Sequence, residues 1–236
     1  MTDFKRIYRE EAKQYEQLVS REDYKGYIER ALRQIRSFDN LNILELGAGT
    51  GRLTRLLAPY ASNIIACDFS PHMLSVARTK LNDFGQSNWQ IIAADNESVP
   101  LAPQSADMAI AGWSLGHSVG WYPDHWQAVI GRALAEMERV LQPQGTIIIL
   151  ETLGTFQEKP QPPTPELARY YRWLEDEYAF SSTWIRTDYR FASIQETIEL
   201  TGFFFGDDLA AAVQASGNLI VPECTGIWWR TIPSDL

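Results

Sequence analysis

The chain has 236 residues, 45% of them apolar, enough for one packed domain with an appendage. A formal net charge of −9, a pI near 4.9 and the lack of any Lys/Arg run argue against nucleic acid as a partner. Two distant cysteines, Cys67 and Cys224, offer no disulfide framework and no metal-site spacing; the polar start MTDFKRIYREEAKQYEQ and the lack of a long apolar run predict no membrane association and a cytoplasmic location.

Residues 8–36 read as helical, because Tyr24, Tyr27, Ile28, Ala31, Leu32 and Ile35 recur at three- and four-residue spacing. A short apolar strand follows over Asn42–Leu46, then a helix over Gly51–Tyr60 with Leu53, Leu56 and Leu57 on one side. Asn63–Asp68 is a second strand. Ser70-Pro71 opens the next helix, since Ser caps well and Pro suits the first helical position. Strands are predicted over Trp89–Ala94 and Ala106–Ala111, a helix over Asp124–Leu141, a stop at Pro143-Gln144-Gly145, and a strand over Thr146–Leu150. Continuous apolar strands that alternate with helices imply a parallel sheet covered on both faces.

After Gly154 the character changes. Residues 154–166 hold four prolines and resist regular structure. An aromatic helix follows, with Tyr170, Tyr171, Trp173 and Tyr178. Thr183–Phe191 reads as a strand, and Ser193-Ile-Gln-Glu196 as a capping box that opens a helix to about Phe204. Asp207–Gln214 reads as helical, and Leu219–Val221 with Gly226–Ile232 as one interrupted strand.

The stretch LELGAGTGR, residues 44–52, places Gly47, Gly49 and Gly51 directly after the first strand. A strand that ends in a glycine-rich turn and feeds a helix exposes backbone N–H groups and a positive helix end to a ligand. The third glycine comes one residue early for the dinucleotide pattern, and no G-K-[ST] follows for a phosphate loop. Asp68 closes the second strand about 20 residues later, near the spacing of a ribose-binding carboxylate. Asp95-Asn96 closes the third strand, where a carboxylate suits an adenine amino group.

LELGAGTGR, CDFSPHML, AADNESVPL, SADMAIAGWSLGH and ALAEMERVLQPQGTIIILE, in this order, resemble the class I S-adenosylmethionine-dependent methyltransferases, in particular the small-molecule branch that includes quinone-biosynthesis enzymes. The resemblance covers about residues 40–153. It implies an α/β, Rossmann-like, doubly wound seven-stranded sheet, mostly parallel with an antiparallel last strand, plus N-terminal helices and a lid insertion. Strands six and seven would be Thr183–Phe191 and Gly226–Ile232. The expected organisation is a single domain: an N-terminal helical cap at 1–40, a cofactor-binding core at 41–153, a lid segment at 154–182 and a sheet-completing part at 183–236.

The resemblance also implies roles. Gly47, Ala48, Gly49 and Gly51 would pass beside the methionyl and ribose parts of S-adenosylmethionine, with Glu45 beneath the loop. Asp68 would bind the ribose diol, Phe69 and Met73 would flank the adenine, and Asp95 with Asn96 would read its edge. Trp113 would lie near the methionyl end, and Tyr15 would reach the cofactor carboxylate.

The expected activity is in-line methyl transfer to a small molecule, with S-adenosylhomocysteine as product. His117, between Gly116 and Gly120, is the candidate general base; the alternative is a loop-capping histidine. His125 and His72 read as capping or surface residues, and no metal site is expected. Trp113, Trp121, Tyr122, Trp126, Tyr170, Tyr171 and Trp173 either wall an acceptor pocket under a proline-hinged lid or pack on the sheet. Open alternatives are an RNA or protein methyltransferase, a non-catalytic cofactor-binding regulator, and a nucleotide-dependent oxidoreductase. A homodimer is compatible with the aromatic content.

Overall fold

A computed structural model describes residues 4–234. The N-terminal segment forms three helices, α1 (Phe4–Glu10), α2 (Ala12–Val19) and α3 (Tyr27–Ile35). The single helix expected over 8–36 is therefore broken twice. Glu11 departs from helical geometry, and the turn before α3 needs left-handed backbone at Asp23 (φ 55°) and Gly26 (φ 66°). The Asp23 carboxylate accepts from the Tyr27 and Ile28 N–H groups at 2.7 and 3.0 Å, so it caps the new helix instead of continuing the old one.

The core runs β1 (Asn42–Leu46), α4 (Arg52–Leu57), β2 (Asn63–Asp68), α5 (Pro71–Phe84), β3 (Trp89–Ala93), β4 (Ala106–Gly112), α6 (His117–Trp121), α7 (Trp126–Val140) and β5 (Leu141–Thr155). The Ser70 hydroxyl caps α5 by accepting from Met73 N–H. The later part comprises α8 (Pro165–Tyr178), β6 (Ser181–Arg186), β7 (Tyr189–Arg190), α9 (Ile194–Phe205), α10 (Asp207–Ser216), β8 (Ile220–Val221) and β9 (Glu223–Thr231).

Seven strands form one sheet in the order β3-β2-β1-β4-β5-β9-β6. The first five are parallel, and β9 runs antiparallel between β5 and β6. This is the expected doubly wound sheet. Alternate residues of each strand serve opposite faces. One face buries Ile43, Ile64, Met108 and Ile148 against α3 and α4; the other buries Leu44, Ala109 and Ile149 against α7 and α8. Each of these Ile, Leu and Met side chains contributes about 1.5–3 kcal/mol by burial.

Two expectations change in the later part. The strand foreseen over Thr183–Phe191 stops at Arg186, and Tyr189–Arg190 pairs with Ile220–Val221 in a separate two-stranded sheet. Asp188 diverts the chain: its Oδ1 accepts from Glu223 N–H at 3.1 Å and from Arg186 Nε at 2.7 Å. Ser193 Oγ caps α9 by accepting from Glu196 N–H, but the Glu196 carboxylate reaches back to Ala192 N–H, one residue before the usual partner. Among the described residues, no helix is long and apolar enough to cross a membrane.

Candidate active site

Four parallel strands end on the same edge of the sheet, and their exits line a cleft of about 320 Å³. Open parallel sheets bind ligands at this edge. Gly47 and Gly49, in the loop after β1, have φ of 64° and 54°, in the left-handed region that glycine adopts without strain. A Cβ on Gly47 would also sit 1.9 Å from Ser114 Oγ. Ala48 N–H donates to the Cys67 carbonyl at 2.9 Å, which ties the loop to β2.

Asp68 does the rest of this tying. Its Oδ2 accepts from Gly49 N–H and its Oδ1 from Ser70 N–H, both at 2.8 Å. A carboxylate has about four acceptor positions, so two stay open toward the cleft. Burial pushes the Asp68 pKa up, against these two hydrogen bonds. Below the loop, buried Glu45 accepts from Thr54 Oγ1 at 2.6 Å, and burial raises its pKa to about 7.

Glu45, Gly47, Ala48, Gly49, Asp68, Phe69, Met73, Asp95, Asn96, Trp113, Tyr15 and His117 all line the cleft. Gly51 does not. It starts α4 with φ of 75°, and a Cβ there would meet Ala77 and Leu81 of α5 at 3.3 Å. Its bareness serves helix packing, which corrects the expectation that all three glycines face the ligand. Phe69 is 54% exposed at the mouth, whereas Met73 is buried in the wall. Asn96 Nδ2 donates to Ser114 Oγ at 3.2 Å.

The N-terminal helices cover the cleft. Ser70 Oγ donates to the Tyr8 carbonyl at 2.7 Å, and Lys80 Nζ pairs with Glu16 at 2.9 Å, which fastens α1 and α2 to α5. Tyr8 Oη lies 2.7 Å from His117 Nε2. His117 stacks on Trp121 at 5.1 Å and meets Phe4 at 5.3 Å. Burial among these rings lowers the imidazole pKa to about 4, so the ring is neutral near pH 7. The Trp113 backbone beside the ring acts in the opposite sense and raises it.

Arg52 also faces the cleft. Its Nη1 donates to Glu22 Oε2 at 2.6 Å, and its guanidinium lies 4.2 Å over the Trp113 ring. Arg52 Nη2 and Thr50 Oγ1 are buried with no hydrogen-bond partner among the described residues. Tyr8, Thr50, Arg52 and Ser114 were not singled out as site residues from the sequence. The signal for Tyr8 was the spacing of Phe4, Tyr8 and Tyr15 on the first two helices.

Other aromatics divide cleanly. Trp113, Trp121 and Tyr122 line the cleft, whereas Trp126, Tyr170, Tyr171 and Trp173 belong to the packed sheet face. No residue of 154–182 lines the cleft, so α8 is a core helix and not a cover over the site. Glu151 and Thr152 also lie outside the lining. Glu151 Oε1 accepts from Gly116 N–H at 2.8 Å, and Thr152 Oγ1 donates to Glu223 at 2.7 Å. His125 precedes α7 without a side-chain cap, and His72 is exposed.

A family profile described as a methyltransferase domain matches residues 44–149, the stretch that holds the glycine loop, Asp68 and Asp95. A ubiquinone/menaquinone biosynthesis C-methyltransferase of Coxiella burnetii is 31% identical over 125 residues, or 51% of this chain and 46% of the relative. Over this core the chain is similar to methyltransferases. A demethylmenaquinone methyltransferase of Bacillus velezensis is 28% identical over 155 residues, 63% of this chain and 61% of the relative. The chain spans about half the length of the first of these relatives. Among solved structures, a SAM-dependent methyltransferase of Aquifex aeolicus superposes with a TM-score of 0.55 at 14% identity, over 88% of this chain and 93% of the other. The YcgJ protein of Bacillus subtilis gives 0.60 at 14%, over 88% and 99%. These last two likenesses concern the fold of the methyltransferase core.

The residues present suit an adenosyl cofactor with a charged methionyl arm. Asp68 retains acceptor positions for hydroxyl groups beside the glycine loop that lines the cleft. The unpartnered Thr50 hydroxyl and Arg52 guanidinium nitrogen offer donors for a carboxylate.

Proposed function

We propose that this protein transfers a methyl group from S-adenosylmethionine to a small, largely apolar acceptor. One observation carries the reading: a loop shaped by Gly47 and Gly49, the Asp68 carboxylate and an aromatic chamber around His117 share one cleft. The bound cofactor supplies an electrophilic methyl group on sulfur and a neutral leaving group.

The chain's own contribution is to bind, orient and exclude water. Asp68 accepts from the ribose hydroxyls, Phe69 and Met73 flank the adenine, and Asp95 with Asn96 meets its edge. Arg52 and Tyr15 serve the methionyl carboxylate end. The helices α1 and α2 shield the reacting centre from water, and oriented reactants gain roughly 7–11 kcal/mol over a bimolecular encounter. Aromatic faces attract a sulfonium by roughly 0.5–2 kcal/mol each. The names of the quinone-biosynthesis relatives support a small-molecule acceptor. The acidic chain, at −9, supports it over RNA.

The test is calorimetric titration with S-adenosylhomocysteine, followed by incubation with methyl-labelled cofactor and a small-metabolite extract. Saturable binding and a labelled small product are expected. Absence of binding overturns the reading.

A further inference from the structure

The general base expected from the sequence, His117, has its Nε2 engaged within the protein. Nε2 faces Tyr8 Oη at 2.7 Å, and the ring lies against the Trp113 backbone. In the neutral tautomer with its proton on Nδ1, Nε2 carries the lone pair and the Tyr8 hydroxyl donates to it. Phe4 and Trp121 flank the imidazole. A proton from an acceptor therefore reaches His117 through the Tyr8 oxygen, which makes no other side-chain hydrogen bond among the described residues.

We infer that Tyr8 is the group that takes the proton of a hydroxyl-bearing aromatic acceptor, and that His117 acts behind it as the terminal proton sink. This rests on the methyl-transfer reading above and extends it to a substrate class, phenol-like molecules. As the acceptor oxygen forms its bond to the methyl carbon, the S–CH3 bond breaks and sulfur keeps the electron pair. The acceptor O–H proton passes to Tyr8 Oη, and the Tyr8 proton passes to His117 Nε2. The positive charge lost from sulfur ends on the imidazolium, so charge and atoms balance.

The chemistry suits these groups. A phenol bonded to a neutral imidazole can relay a proton without ever becoming a free phenolate. That matters because burial pushes Tyr8 ionisation well up. A weakly basic imidazole suffices, since an oxygen that has just gained a methyl group is a far stronger acid than an imidazolium. The groups that bear on the pair from the surrounding elements are Tyr15 of α2, Asp68 of β2 and Glu151 of β5, all of which raise Tyr8. Lys5 of α1 lies 5.0 Å over the Trp121 ring that stacks on His117. Trp121 and Tyr15 line the cleft next to the pair, which fits a flat ring as acceptor.

The test uses the full chain and the variants Tyr8→Phe, His117→Gln and the double variant. Methyl transfer from labelled S-adenosylmethionine is followed with phenol and with 4-nitrophenol across pH, beside calorimetry with S-adenosylhomocysteine and the 15N shifts of the His117 ring. With phenol, each single variant is expected to lose roughly 10²–10⁴-fold in rate, and the double variant no more, because the two act as one unit. With 4-nitrophenol, at pH values where it ionises unaided, the variants are expected to approach the parent rate. The Nε2 shift of an engaged acceptor is expected in the parent and lost in Tyr8→Phe, with cofactor affinity unchanged. Additive losses, equal losses for both phenols, or no product from either phenol while S-adenosylhomocysteine binds overturn the relay. A parent chain that binds no S-adenosylhomocysteine overturns the methyl-transfer reading itself, and the relay with it.

Discussion

The Gly49 N–H donates to Asp68 Oδ2 at 2.8 Å, so the loop after the first strand is held by the residue that closes the second. The carboxylate thus shapes the loop and also offers its remaining oxygen positions to the cleft.

Replacing Asp68 with alanine removes both functions at once. We expect S-adenosylhomocysteine to bind about 1.5–3 kcal/mol more weakly, the scale of a hydrogen bond to a charged group. Asp68→Asn keeps one acceptor oxygen and should lose less. Calorimetry on both variants checks the order, and equal affinity in all three proteins contradicts it.

The glycines separate by consequence. Gly47→Ala forces a side chain onto Ser114 inside the cleft, so ligand affinity and stability both fall. Gly51→Ala instead strains the start of α4 and presses on Ala77 and Leu81. It should cost about 1–3 kcal/mol in unfolding free energy with ligand affinity of the folded protein retained. Denaturant curves with and without S-adenosylhomocysteine distinguish the two patterns.

Arg52 and Glu22 form a nearly buried pair, with side chains 19% and 3% exposed. Arg52→Met leaves the Glu22 carboxylate unpaired and should cost about 3–5 kcal/mol. Adding Glu22→Gln to that variant should restore much of the stability but none of the affinity for cofactor. Recovery of binding in the double variant refutes the role of Arg52 at the methionyl end.

Stability should fall with rising pH above neutrality. Burial raises Glu45 to about 7 and Glu151 to about 8, while in the unfolded chain both ionise near pH 4–5. Between those limits the folded state holds the extra protons, so each unit of pH favours unfolding. His117 acts in the opposite sense, but only between its folded value of about 4 and its ordinary value near 6.5, where the unfolded chain holds the proton. From about pH 6.5 to 8 the carboxylates act unopposed by it. Urea midpoints should drop across that window, and Glu151→Gln should flatten the drop. A midpoint that climbs there contradicts this account.

Much of the core was legible because local signals agree there. Asn42–Leu46 and Asn63–Asp68 are strands to the residue, since each is a short apolar run bounded by turn residues. Ser70-Pro71 begins α5 as a cap and first-turn proline should. The cleft residues of the glycine loop and strand ends were legible because the sheet edge gathers whatever follows each parallel strand. The break between α2 and α3 was hidden, because Asp23 could cap a helix only once left-handed backbone at Asp23 and Gly26 had turned the chain.

The sequence by itself determined the alternation of strands and helices, and with it the edge where Gly47, Asp68 and Asp95 meet, because apolar periodicity and turn chemistry act over a few residues. Tertiary structure alone decided that Gly51 serves packing, that α8 is core, and that Tyr8 seals His117 across 109 positions of chain. Such contacts depend on how helices pack on a finished sheet, and no local pattern encodes which distant side chain arrives.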